Sequence, residues 1–190
     1  SCMMQQKWDE AYDAFFKSAW NAAWQDAAYY ALAQLDTRKG KYESALDKID
    51  RSLIRNWHNH KARQLKTSIL RKLGRKEEAL ALVAESLQID RFNMGCRFEH
   101  YLLTRDVKVL EEMKELMRGW AHGYIEYALD FAAAGLYEEA FSLLECYVIG
   151  VTEVYPVVYY TMGYFHTCKG DESRALEYYQ RAEKDNHSYC

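Results

Sequence analysis

Two histidines separated by one residue, His58 and His60, form the pattern in this chain that most suggests a metal site. Imidazole side chains are common zinc ligands. On a helix, however, side chains two positions apart diverge by about 200°. No nearby cysteine or aspartate completes a ligand set either. We therefore predict neither a metal nor any other cofactor for this chain.

Paired carboxylates, which can act as an acid and a base, occur at Glu111-Glu112 and at Glu138-Glu139. Both pairs are predicted near helix starts, where the helix dipole favours negative charge. The sequence contains no phosphate-binding loop, dinucleotide fingerprint or nucleophile motif. These observations predict that the protein is not an enzyme.

The cysteines are an odd number and include no CxxC pair. They are Cys2, Cys96, Cys146, Cys168 and Cys190. This usage favours reduced structural thiols. The sequence also shows neither a secretory signal nor a run of 18 apolar residues. Together these features predict a cytoplasmic location.

A regular spacing organises most of the chain. Residues 40–45 read Gly-Lys-Tyr-Glu-Ser-Ala, and residues 74–79, one period of 34 later, read Gly-Arg-Lys-Glu-Glu-Ala. Related phrases occupy 135–140 and 170–175. Such a period, with helical patterns on both sides of the glycine, indicates a helix-turn-helix solenoid. The single proline and nine glycines are consistent with long helical stretches.

Each unit also places two small residues twelve positions apart, one on each helix that flanks the glycine. The pairs are Ala33 with Ala45, Thr67 with Ala79, Ala128 with Ala140, and Gly163 with Ala175. Small facing side chains allow two antiparallel helices to approach closely. The glycine ends the first helix because it adopts the left-handed conformation without steric cost.

With these features, and with Tyr29, Tyr124 and Tyr159 early in the first helices, the chain resembles the tetratricopeptide-repeat family over most of its length. The weakest unit has Arg63 at the aromatic position. The resemblance implies an all-α fold, a right-handed helix-turn-helix solenoid of about five units and roughly eleven helices. The first unit is expected to be incomplete and the middle one shortened.

The shortened unit follows from the interval between Ala79 and Ala140, which is 61 residues, or 34 plus 27. We predict its helices at about 93–103 and 107–118, with a turn that lacks glycine, and a change in superhelix direction there. The predicted organisation is one solenoid over 1–190. Its lobes lie at about 7–91 and 121–190 and are joined by an irregular repeat at 92–120.

The chain begins in the middle of a repeat, and apolar residues follow at helical spacing. They are Trp8, Tyr12, Phe15 and Trp20. In a solenoid such a face packs on a preceding helix. Short phrases at 20–24 and 50–53 also resemble the helical tail of large bacterial proteins with an upstream sugar-binding-like β region. Two interpretations stay open: a neighbouring domain of a longer chain docks on this face, or a homodimer buries the uncapped ends.

In the family that this chain resembles, the first helix of each unit lines a concave groove. The corresponding residues here are Tyr30, Gln34, Arg38, Lys61, Gln64, Arg71 and Lys72 in the N-terminal lobe, and Ile125, Leu129, Tyr160 and Tyr164 in the C-terminal lobe. The first set is polar or basic and the second is aromatic or aliphatic. Such a groove fits a peptide with carboxylates at one end and large apolar side chains at the other.

These expectations predict a non-catalytic protein-interaction or scaffold module that binds a peptide or a neighbouring domain through its groove. The alternative function is a structural appendage of a larger carbohydrate-active bacterial protein, without a ligand of its own. We predict no membrane partner.

Charge is unevenly distributed along the sequence. Residues 37–76 contain thirteen Lys or Arg and three Asp or Glu, a net +10, whereas the remainder has twelve basic and twenty-five acidic residues, a net −13. The two values sum to the formal charge of −3. Clustered basic residues can bind nucleic acid. Because many of these charges belong to second helices, which face away from the groove, the sequence favours a solvated face or an acidic neighbouring domain instead.

Overall fold

The computed structural model describes residues 5–186, and these form eleven α-helices with no β-strand among them. The helices are α1 (Trp8–Ser18), α2 (Gln25–Arg38), α3 (Tyr42–Arg55), α4 (His60–Lys72), α5 (Lys76–Ile89), α6 (Met94–Thr104), α7 (Val107–Met117), α8 (Ala121–Ala133), α9 (Tyr137–Gly150), α10 (Pro156–Lys169) and α11 (Glu172–Asn186). A 3-10 turn, Ala22–Trp24, precedes α2. No helix in this part of the chain is long and apolar enough to cross a membrane. The predicted all-α helix-turn-helix solenoid is confirmed.

The packing divides these helices into two compact units. Among the described residues, the first unit contains 5–110 and 133–135, and the second contains 111–132 and 136–186. Helices α1 to α6 therefore belong to the first unit, and α9 to α11 to the second. The lobes at 7–91 and 121–190, and the joining repeat at 92–120, stay predictions.

The glycine of each repeated phrase ends the first helix of its pair. Gly40, Gly74, Gly135 and Gly170 all have φ between 71° and 78°. In each case the residue after the glycine donates its amide to the carbonyl five positions earlier, at 2.8 to 3.0 Å. This 6→1 hydrogen bond defines the Schellman motif, which requires a left-handed residue before the donor. The repeated phrase therefore encodes the same type of helix C-terminus at four places in the chain.

The small residues twelve positions apart lie at the contacts between paired helices. All four pairs are buried. The contact is close at Gly163, where an added Cβ atom would lie 2.5 Å from Cε1 of Tyr179 on α11. That distance is far below a van der Waals contact, so a larger side chain fits only if the ring of Tyr179 moves.

Arg63 explains how the weakest repeat keeps its fold without an aromatic residue. Its side chain is fully buried, and Nε donates a 2.8 Å hydrogen bond to Oγ of Ser86 on α5. The guanidinium stacks on Trp57, with Cζ 4.5 Å from the ring centroid. Nη2 lies 3.2 Å from Oε2 of Glu85, an ion-pair contact without hydrogen-bond geometry. Arginine thus fills the aromatic position with a planar group whose donors are largely satisfied.

The middle repeat is built as predicted, with helices α6 and α7 and a turn without glycine. Arg105 takes the left-handed conformation that glycine has in the other repeats, with φ of 57°. Its amide donates a 2.7 Å hydrogen bond to the carbonyl of Tyr101. An arginine with this backbone conformation is strained by about 1 kcal/mol relative to glycine.

The aromatic face predicted at the N-terminus is only partly helical. Helix α1 ends at Ser18, so Trp20 lies in the following turn and Trp24 in the 3-10 turn. The prediction that Trp20 continues the helical stripe is therefore wrong. The side chain of Asn21 accepts the amide of Ala23 at 3.0 Å and caps the 3-10 turn that separates α1 from α2.

Candidate interaction surfaces

The predicted groove residue Arg71 forms an ion pair with Glu99 of α6. Nε of Arg71 donates to Oε2 at 2.6 Å and Nη2 donates to Oε1 at 3.1 Å. Oγ of Ser68 donates to the same Oε1 at 2.6 Å. Glu99 is fully buried, whereas the Arg71 side chain is 18% exposed. This bidentate arrangement joins α4 to α6, so the positive charge of Arg71 is already matched within the first unit.

Two further predicted groove residues in the first unit are buried. Gln64 packs against Gly95 of α6 so closely that a Cβ at Gly95 would lie 2.1 Å from its Oε1. Gln34 donates a 3.1 Å hydrogen bond to the hydroxyl of Tyr30 on the same helix. The sequence could not show the burial of Gln64, because the close approach depends on Gly95, which lies in the repeat without the glycine phrase.

The remaining basic residues predicted for the groove differ in their surroundings. The guanidinium of Arg38 lies 4.3 Å from the ring centroid of Trp8, a cation–π contact. Lys61 and Lys72, by contrast, are both exposed. The polar set therefore separates into residues that pack, namely Gln34, Gln64 and Arg71, and lysines that reach solvent.

The fold places acidic side chains against the basic segment. The ion pairs are Asp9 with Lys39, Asp36 with Lys48, Asp47 with Arg51, Asp50 with Lys66, Glu78 with Arg75, Glu85 with Arg63, and Glu99 with Arg71. A hydrogen bond from Lys39 lowers the pKa of the Asp9 carboxyl. Most of these acids lie outside residues 37–76, so the segregation of charge along the sequence is much weaker in the folded chain.

In the second unit, α10 presents an exposed stripe without charge. Val157, Tyr160 and Tyr164 are 38%, 40% and 50% exposed and lie three and four positions apart, on one helix face. Leu129 on α8 is 43% exposed, whereas Ile125 is buried. We call the exposed residues Val157, Tyr160 and Tyr164 the α10 stripe. Helix α11 supports the stripe from one side, since the rings of Tyr160 and Tyr179 lie 6.3 Å apart.

A buried histidine, His166, lies on a different face of α10. Its ring centroid is 4.4 Å from that of Phe141 and 5.4 Å from that of Tyr178, with which it stacks. Nδ1 lies 3.5 Å from Oδ2 of Asp171. Burial lowers the pKa of His166, the nearby charge of Asp171 opposes this shift, and the charge of Arg174 adds to it.

The lowered pKa of His166 predicts a stability that depends on pH. In the unfolded chain His166 takes up a proton near pH 6.5, whereas in the folded chain it does so only at lower pH. The free energy of unfolding should therefore fall as the pH drops below about 6.5. Replacing His166 with phenylalanine, which the preceding repeat has as Phe131, should remove this part of the dependence. Urea unfolding between pH 7.5 and 5.5 tests this, with His122→Gln as the control. Equal pH dependence in wild type and His166→Phe would contradict the prediction.

The aromatic residues of α1 are covered to different degrees. Trp8 lies beneath Arg38, and Tyr12 has Lys39 and Lys48 each 5.7 Å from its ring centroid. Trp20, by contrast, is 77% exposed and makes an edge contact with Phe16 at 6.4 Å. Sequence reasoning missed Phe16, because it lies one position beyond the apolar spacing. Phe15, which that spacing selects, is half-buried.

The sequence pattern His58-Asn59-His60 has a structural explanation. Asn59 is the N-cap of α4, and its Oδ1 accepts the amide of Ala62 at 3.1 Å. The helical spacing assumed for the two histidines is wrong, because the helix begins at His60. Within residues 5–186, no three His, Cys, Asp or Glu side chains form a group that could hold a metal ion.

Two of the described cysteines, Cys96 and Cys146, have the character of packed thiols. Burial raises the pKa of Cys96 to about 12 and also raises that of Cys146. A thiol that stays protonated is a poor nucleophile. Cys2 and Cys190 lie outside the described residues.

No known protein-family model matches this sequence, and no curated protein resembles it significantly. Solved structures do resemble its fold. A tetratricopeptide repeat protein from Parabacteroides merdae aligns over 96% of this chain and 74% of its own, with 18% identity and a TM-score of 0.59. YrrB, described as a TPR protein with an unusual peptide-binding site, aligns over 90% and 92%, with 17% identity and a TM-score of 0.49. At these identities the likeness concerns the fold alone, and of the two only the first exceeds a TM-score of 0.5. Together with the repeated helix termini, it shows that this chain has the tetratricopeptide-repeat fold.

Proposed function

We propose that this protein is a non-catalytic interaction module that binds a peptide segment of a protein partner on the α10 stripe. The observation that carries the proposal is the exposure of Val157, Tyr160 and Tyr164 on a helix face without a charged side chain. Surface helices normally present charged and polar residues to water. Contiguous exposed apolar surface is a common mark of binding sites.

The chemistry of the stripe favours an apolar peptide over a charged one. Tyrosine rings offer rigid contact area at low entropic cost, and their hydroxyls can stay hydrated or bond to a peptide backbone. Leu129 on α8 adds further exposed apolar area in the same unit. The tetratricopeptide-repeat fold supports this proposal, because solenoids present surfaces along their helices and do not enclose active sites. We expect a ligand with two or more large apolar side chains.

A selection from a random 12-residue peptide library tests the proposal and requires no assumption about which protein supplies the peptide. The purified chain is the bait, and the double variant Tyr160→Ala/Tyr164→Ala is the counter-selection bait. We expect enriched peptides rich in aromatic and aliphatic residues that bind the wild type and do not bind the double variant. Failure to enrich any peptide above an unrelated protein would contradict the proposal.

The exposed pair Phe16 and Trp20 supports a second function, docking of a neighbouring domain of the same chain or of a second copy. An indole exposed at 77% is unusual on a surface that nothing covers. Light scattering tests the second copy directly. A concentration-dependent dimer that Trp20→Ser abolishes would support it, and a strict monomer at high concentration would leave the neighbouring domain as the occupant to test.

A further inference from the structure

A cavity of about 260 Å³ lies along α11 in the second unit, apart from the α10 stripe. Its lining residues are His166, Arg174, Glu177, Tyr178 and Arg181. The last four lie at positions i, i+3, i+4 and i+7 of α11 and share one helix face. His166 comes from α10, at a position about 200° around the helix from Tyr164. The cavity is therefore separate from the surface proposed for peptide binding.

The two arginines of the cavity are arranged to donate hydrogen bonds. The guanidinium of Arg181 stacks on the ring of Tyr159, with Cζ 4.4 Å from its centroid. Stacking uses the face of a guanidinium and leaves the N–H groups at its edge, which suit oxyanions. The Arg174 side chain is 68% exposed, and its Nε is 3.7 Å from Oδ2 of Asp171, too long for a hydrogen bond.

His166 adds a buried polar group that lacks a hydrogen bond. It is 95% buried, and its Nδ1, although 3.5 Å from Oδ2 of Asp171, makes no hydrogen bond among the described residues. Buried polar atoms are nearly always paired in folded proteins, so an unpaired one points to a missing ligand or water. Tyr178 lines the same cavity, and a tyrosine hydroxyl can also donate a hydrogen bond.

Charge around the cavity restricts the ligand class. Two guanidinium groups face one carboxylate, Glu177, in the lining. Glu145 on α9 and Asp171 act on the lining residues from nearby, and Lys169 adds a positive charge. Because these surrounding charges nearly cancel, affinity must come from directed hydrogen bonds and not from a diffuse field. The volume is at the low end for ligand sites, so a small group fits best.

We propose that this cavity binds an oxyanion, a phosphate or carboxylate group, held by Arg174 and Arg181 with His166 and Tyr178 completing the hydrogen bonds. The group could belong to a free small anion or to an acidic side chain of a protein partner. Both sources share the same recognition chemistry, since guanidinium groups bind carboxylate and phosphate through paired N–H donors.

Nuclear magnetic resonance titrations of the labelled protein test the site in two arms. One arm uses inorganic phosphate and the other an acetylated diglutamate peptide amide, each against sodium chloride at matched ionic strength. We expect saturable shifts of the His166 ring and the Arg181 Nε–H resonance in at least one arm. Arg174→Gln and Arg181→Gln should each weaken binding about tenfold. Lys184→Gln, which removes one charge from the same helix without touching the cavity, should bind like the wild type.

Every outcome of these titrations either supports or overturns the oxyanion site. Saturation with phosphate alone identifies a free anion, and saturation with the peptide identifies an acidic side chain; both support the site. Absence of saturable shifts in both arms would overturn it, as would equal affinities in both arginine variants and Lys184→Gln. If Arg181→Gln disturbs the fold through the loss of its contact with Tyr159, Arg174→Gln alone gives the answer, because its side chain is largely exposed.

Discussion

Replacing Arg71 with alanine should lower the free energy of unfolding of the first unit by about 3–5 kcal/mol. Glu99 is fully buried, and its carboxylate accepts two hydrogen bonds from Arg71 and one from Ser68. Without Arg71, the carboxylate must stay charged in an apolar interior or take up a proton, and both alternatives cost free energy. Urea unfolding followed by circular dichroism measures the loss.

Two further variants separate this mechanism from a general loss of packing. Glu99→Gln in the Arg71→Ala background should recover most of the stability, because the amide has no charge to desolvate. Arg55→Ala, which removes an exposed arginine of the same unit, should cost at most about 0.5 kcal/mol. If Arg71→Ala costs no more than Arg55→Ala, the ion pair is not the connection between α4 and α6 that the structure indicates. For the same reason, Arg71 is a poor probe of ligand binding.

Replacing Ala79 or Ala140 with leucine should destabilise the chain by about 1–3 kcal/mol. Both alanines are fully buried where two paired helices meet, opposite Thr67 and Ala128 respectively. Three additional carbon atoms at such a contact force the helices apart or push side chains off their preferred rotamers. In a solenoid the effect should be strongest in the adjoining repeats, because stability comes from nearest-neighbour interfaces.

The control for this prediction is Ala81→Leu, which adds the same volume to the exposed face of α5. We expect the control to change stability by less than about 0.5 kcal/mol. Neutral results at both Ala79 and Ala140 would mean that the small pairs do not mark the helix contacts. Hydrogen exchange of the amides in α4 and α8 shows where the loss is felt.

The sequence predicted the parts of the fold that repeat. Each Schellman terminus needs a left-handed residue, so glycine recurs at one position and sets the register of both helices. The small pairs follow from the same register. The shortened repeat was also predictable, because the interval between Ala79 and Ala140 is shorter than two full periods of 34. Nothing in the pattern, however, indicated that Arg105 would take the conformation that glycine has in the other repeats.

The contacts that the sequence did not predict join residues far apart in the chain. Glu99 pairs with Arg71 across 28 positions, and Lys39 with Asp9 across 30. Such pairs depend on how neighbouring repeats stack, which local periodicity does not encode. The net charge of residues 37–76 did not show this pairing, since the acids that match the segment lie mostly outside it.

The candidate sites also differ in how far the sequence could predict them. Exposure of the α10 stripe follows from helical spacing once the register is known, so Tyr160 and Tyr164 were accessible to sequence reasoning. The cavity beside His166 was not, because it depends on the stacking of Phe141 and Tyr178 around one ring. The prediction that Trp20 lies on a helix is wrong because α1 ends at Ser18, two residues before Trp20.

The affinity of a selected peptide for the wild type, measured by calorimetry beside two variants, shows whether the α10 stripe is the peptide-binding surface. Tyr160→Ala/Tyr164→Ala should bind at least about tenfold more weakly, since buried tyrosines are common energetic centres of interfaces. Ile149→Ala, which removes an exposed apolar side chain elsewhere in the second unit, should bind like the wild type. Equal affinities for all three proteins would contradict the account and exclude the α10 stripe as the binding surface.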